Sequence, residues 1–97
     1  MDIVRDTDRN RFELRHDGAA IGTLEYSYDG DATVLQRIEV DREYSGQGLA
    51  ARFTESVLTQ LRDAQEAVIP SCPYVRGYIL KHPQWRDLVP PDVELSA

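Results

Sequence analysis

Two glycines in the run Ser45-Gly46-Gln47-Gly48-Leu49-Ala50-Ala51 separate a β-branched, strand-like segment from an amphipathic helical one. A strand that passes through such a pair straight into a helix leaves the first helical N–H groups unpartnered and collects partial positive charge around them. An anion, most naturally a phosphate, fits against that start. The candidate seat is the backbone of Gln47, Gly48, Leu49, Ala50 and Ala51, reached through Ser45 and Gly46, with Arg42 and Arg52 near enough in sequence to add charge. A side chain at Gly46 or Gly48 would hinder close approach of a phosphate. Glycine pairs also make ordinary tight turns, so the motif alone leaves both readings open.

The flanking patterns give the fold class. From Arg11 to Tyr28, Phe12 and Leu14, then Ala20, Gly22, Leu24 and Tyr26, alternate with polar residues around His16-Asp17-Gly18, which predicts a β-hairpin with a turn at Asp-Gly. Asp29-Gly30-Asp31 turns the chain into a third strand over 32–40, with Val34, Gln36, Ile38 and Val40 on one face and Leu35, Arg37 and Glu39 on the other. Leu49, Phe53, Val57 and Leu61, joined by Ala50 and Leu58, recur at helical steps and predict a helix ending near Ala64. A short strand follows over 66–69. Ser71 is placed to cap a second helix, which carries Pro73 in its first turn and runs to about Lys81 before Pro83 stops it. Strands, helix, strand, helix make an α+β (mixed α/β) sandwich in one domain over 1–91, followed by an unordered tail over 92–97.

Charge and cysteine content exclude several function classes. A net charge of −6 supplies no basic stripe for nucleic acid, while it suits a cationic amine as partner. No stretch is apolar and long enough to span a bilayer, and the charged residues 1–11 lack the apolar core of a signal peptide, which points to the cytoplasm. The single cysteine forms no internal disulfide, and the two histidines, the cysteine and the scattered carboxylates show no metal-ligand spacing.

The second half holds a denser string, Val68-Ile69-Pro70-Ser71-Cys72-Pro73-Tyr74-Val75-Arg76-Gly77-Tyr78-Ile79-Leu80-Lys81-His82-Pro83, which general packing does not require. Together with the glycine loop it resembles the small single-domain branch of the GCN5-related N-acetyltransferases, with their C-P-Y/F-V, Y-I and H-P signature, over residues 20–89. The wider superfamily's coenzyme A loop reads Arg/Gln-x-x-Gly-x-Gly/Ala, and Ser45 stands here in the Arg/Gln place.

The resemblance implies a truncated form of that fold and acetyl-CoA as co-substrate. It places pyrophosphate at the glycine loop and the pantetheine arm along the strand backbone from Ile38 to Val40. Tyr78, seven residues after Ser71, takes the place of the tyrosine that protonates the departing thiolate, with Tyr74 one turn earlier as competitor. Glu39 takes the place of the base for the amine, although Arg37 stands where the small branch tends to carry histidine. Cys72 begins a helix, where the dipole favours a thiolate, and the resemblance sets it near the coenzyme A thiol for acyl relay or mixed-disulfide formation; its plainer reading is a small buried hydrophobe. His82 is placed to cap carbonyls at the second helix's end.

These readings give an acetyl-CoA-dependent N-acetyltransferase in which an amine attacks the thioester directly, the acceptor being a small amine, a lysine or a protein N-terminus and the protein a monomer or homodimer. The alternatives are a coenzyme A-binding module without turnover and a protein-interaction domain whose glycine loop is purely structural.

Overall fold

The computed structural model describes residues 1–95. Its strands are β1 (Asp2–Asp6), β2 (Arg11–His16), β3 (Ala19–Asp29), β4 (Ala32–Val40) and β5 (Ala67–Pro70), and its helices are α1 (Leu49–Asp63) and α2 (Pro73–Lys81), with 3₁₀ turns at Arg42–Tyr44 and Pro83–Leu88. One five-stranded sheet runs in the order β1-β2-β3-β4-β5. The first four strands form an antiparallel meander, and β5 joins β4 in parallel after the chain has crossed the sheet as α1. Four strands therefore precede the glycine loop where the sequence pattern predicts three. In Asp-Ile-Val-Arg-Asp the inward positions are Ile3 and Arg5, so β1 shows no run of apolar alternation.

One face of the sheet carries the core. Phe12, Leu14, Leu24 and Leu35 meet Phe53, Val57, Leu58 and Leu61 of α1, with Val68, Val75 and Ile79 closing the far side. Gly22 is what lets α1 lie this close: a Cβ there would stand 3.2 Å from the Glu39 carbonyl oxygen and 3.5 Å from a Phe53 ring carbon. The other face is polar. Across β2, β3 and β4 the register lines up Glu13, Thr23 and Glu39 in one row and Arg11, Glu25 and Arg37 in the next. Glu13 is buried beneath its own neighbours, Arg11 at 2.6 Å and Arg15 at 2.7 Å, and the hydrogen bonds from Arg11 and then Arg15 hold its carboxyl below the usual range.

Two bulges correct the facing predicted from strict alternation. The register shifts past Ile21, which is buried while Ala20 is exposed, and again past Gln36, so that Leu35 and Ile38 both face the core and Gln36 does not. Beyond Leu35, β4 loses its neighbour. β5 pairs only over Ala32–Leu35 and ends in Pro70, which has no N–H to donate. Gln36–Val40 therefore have β3 on one side and no strand on the other.

The start of α2 also differs from expectation: its N-cap is Cys72, not Ser71, with no side-chain cap bond. The Cys72 N–H donates to the Leu35 carbonyl at 2.8 Å, which ties the helix to β4 where the two strands part. Of the expected tail, Val93 and Leu95 are half-buried against the core, and residues 96 and 97 lie outside the described part. No helix among the described residues is long and apolar enough to cross a membrane.

Candidate active site

The glycine loop has the backbone its sequence predicts. Gly46 and Gly48 hold φ of +78° and +72°, the left-handed region that only glycine occupies without strain, and a Cβ on either would meet nothing within 4 Å. Their role in the free chain is thus conformational. Gly48 is the N-cap of α1 and offers no side chain to it. The Ser45 N–H is taken by the Arg42 carbonyl and the Arg52 N–H by the Gly48 carbonyl, while between them the N–H groups from Gly46 to Ala51 find no acceptor among the described residues. No acidic side chain occupies the first turn to neutralise them. Ser45, Arg42 and Arg52 are exposed around this row.

From the row a cleft of about 630 Å³ opens between the helices. Ala51, Arg52 and Glu55 of α1 form one wall; Pro73, Tyr74, Gly77, Tyr78 and Lys81 of α2, with His82, form the other. Tyr78 is the buried phenol of this cleft and donates to Glu55 Oε2 at 3.3 Å. Burial first, then the Glu55 charge, pushes its pKa above that of an ordinary tyrosine; the Trp85 indole, whose buried N–H has no acceptor in bonding geometry, pulls weakly the other way. His82 stacks on the Tyr78 ring with centroids 4.1 Å apart, and its Nδ1 lies 2.8 Å from the Tyr78 carbonyl oxygen, which is the carbonyl capping expected of it. Tyr74 lines the same wall and is 42% exposed.

The remaining expected site residues fall elsewhere. Ile38 and Val40 are half-buried on the unpaired stretch of β4. Cys72 is only 3% exposed, belongs to the apolar core and does not line the cleft, which corrects the expectation of a ligand-facing thiol in favour of the small buried hydrophobe. Glu39 stands on the polar outer face, bonded at 2.6 Å to Arg37, and is not brought together with Tyr78. Glu55 is the cleft residue that sequence reading misses; one turn after Ala51 on the wet side of α1, it carries no signal separating it from any exposed helical carboxylate. Among the described residues no group of three or more His, Cys, Asp or Glu is placed to hold a metal ion.

A sequence model of the family described as GCN5-related N-acetyl-transferase matches residues 11–88. The chain belongs to the GCN5-related N-acetyltransferase family. That span holds everything from β2 to the last 3₁₀ turn, including the glycine loop and both walls of the cleft. Among solved structures, the family fold appears in the NMR solution structure of a GCN5-like protein from Staphylococcus aureus, with a TM-score of 0.69 over 92% of this chain and 87% of that one, at 20% identity. A search of curated proteins finds no match. As an N-acetyltransferase of this family the chain is an enzyme with an α+β fold reduced to one sheet and two helices.

Proposed function

We propose that this N-acetyltransferase uses acetyl-CoA and transfers the acetyl group to an amine by direct attack on the thioester. The observation that carries the reading is the row of unpaired N–H groups from Gly46 to Ala51 at the mouth of the α1–α2 cleft. An uncapped helix start of this kind fits a pyrophosphate, with Arg42 and Arg52 beside it. The unpaired edge of β4, Gln36–Val40, offers backbone groups to the amides of a pantetheine arm.

Acetyl-CoA would supply the activated acyl group. The protein's own part is to hold the thioester near Tyr78 and to move one proton at each end of the transfer. Tyr78, a phenol protonated at neutral pH, would give its proton to the sulfur as the C–S bond breaks. Glu39 is the carboxylate expected to take the amine proton, but it stands on the outer face of the sheet, apart from Tyr78. Its 2.6 Å ion pair with Arg37 favours a second reading, a module that binds acetyl-CoA without turnover.

The test is calorimetric titration with acetyl-CoA and with coenzyme A, using wild type, Gly48→Ala and Gly48→Glu. Micromolar binding that is weakened by the alanine and lost with the glutamate supports the phosphate seat, since both variants share the backbone strain and the glutamate adds charge and the greater bulk. No heat in the wild type overturns the acyl-CoA reading. Binding without acetyl transfer to any amine in a screen of small amines, lysine peptides and free peptide N-termini selects the module.

A further inference from the structure

Gly77 sits in the interior of α2, where glycine is destabilising relative to alanine. Such a glycine usually answers a close neighbour or a left-handed φ. Gly22 shows the first case and Gly48 the second, whereas Gly77 has neither: its φ lies outside the left-handed region and a Cβ there would meet nothing within 4 Å. Nothing inside the folded chain asks for a glycine at this position. What Gly77 does face is the cleft, with Ala51 on the opposite wall at the end of the unpaired N–H row. Pro73 and Lys81 continue its row on α2 one turn either way, and Tyr74 and Tyr78 form the adjacent row.

We infer that Gly77, with Ala51 opposite, sets the bore of the cleft, so that the part of an acyl-CoA's unbranched arm nearest the phosphate seat lies against the backbone of α2 before the arm reaches the edge of β4. The inference rests on the acyl-CoA reading and adds to it a residue that favours ligand contact over helix stability. A methyl group at position 77 strengthens the helix while narrowing the bore; a leucine closes it.

Thermal melting and calorimetric titration of wild type, Gly77→Ala and Gly77→Leu test this, with coenzyme A as one probe and ADP, which carries the pyrophosphate but no arm, as the other. The expected result is a melting temperature raised by a few degrees in Gly77→Ala, with coenzyme A affinity reduced at least ~3-fold by the alanine and more than ~10-fold by the leucine, and with ADP affinity unchanged in both. Coenzyme A affinity unchanged in both variants overturns the inference and leaves the acyl-CoA reading intact. Equal losses for coenzyme A and ADP overturn it as well, because they place Gly77 at the phosphates. A wild type that binds no coenzyme A overturns the acyl-CoA reading, and this inference with it.

Discussion

Replacing Arg5 by methionine separates charge from packing in the network that ties β1 to the turn before β5. The guanidinium gives Glu66 two hydrogen bonds, at 2.6 and 2.9 Å, and reaches the hydroxyls of Tyr26 and Tyr28 at 3.2 and 3.1 Å. Thr33 gives Glu66 a third, at 2.7 Å. Hydrogen bonds from Arg5 hold the Glu66 carboxyl below the usual range against its partial burial. Removing one partner of a fully buried ion pair costs ~3–5 kcal/mol. Here the two side chains are 20% and 24% exposed. Water reaches the released carboxylate and Thr33 stays bonded to it, so the expected loss is ~1–2.5 kcal/mol, or ~5–15 °C in melting temperature for a domain of this size.

The pH dependence gives the sharper test. A carboxyl whose folded pKa is depressed contributes stability that is present above its unfolded pKa, about 4.3, and is lost as pH falls through the lower folded value. The gap between wild type and Arg5→Met should thus be full at pH 7 and shrink as pH drops below that point. Urea midpoints by far-UV circular dichroism, at pH 7 and at the lowest pH where the wild type stays folded, measure it at constant ionic strength. A gap of equal size at both pH values refutes the electrostatic account and leaves the hydrogen bonds to Tyr26 and Tyr28 and the stacking of Arg5 over Phe12 and Tyr26.

Phe53→Ala should cost ~3–5 kcal/mol in urea unfolding, because the ring is fully buried over Gly22 and the glycine cannot fill the space. Tyr78→Phe should lower acetyl-transfer kcat by ~10²-fold or more with coenzyme A affinity intact; unchanged kcat removes Tyr78 as the acid. Cys72→Ala should retain turnover, since the thiol is 3% exposed and off the cleft, and its abolition would restore the relay through Cys72. Cys72→Ser should melt no lower than wild type, the hydroxyl giving α2 the side-chain cap it lacks.

Where the chain's periodicity is local and strong, the sequence shows it. The stripe from Leu49 to Leu61 predicts α1 to within a residue of its observed end at Asp63, and Pro73 and Pro83 bracket α2. The positive φ expected at the Asp-Gly turn is found at both Asp17 and Gly18. What alternation does not reveal is a bulge: one extra residue at Ile21 and another at Gln36 reverse the facing of everything after them, and no side chain there announces it. β1 escapes for a different reason, because its inward Arg5 is made acceptable only by Glu66, sixty-one residues away. The row of unpaired N–H groups is legible because it depends on backbone and glycine, whereas the Glu55–Tyr78 contact depends on how two helices lie beside each other, which no local pattern encodes.

The arginines and carboxylates on the sheet's outer face also bear on how these molecules meet one another. Any second sheet stacked there would have to strip water from the Arg11–Glu13–Arg15 cluster and the Arg37–Glu39 pair, at several kcal/mol per ion with no new partner supplied. A two-layer domain ordinarily risks face-to-face aggregation on its uncovered side. In this chain the same ion pairs that let the sheet stand bare make that side a poor surface for self-association.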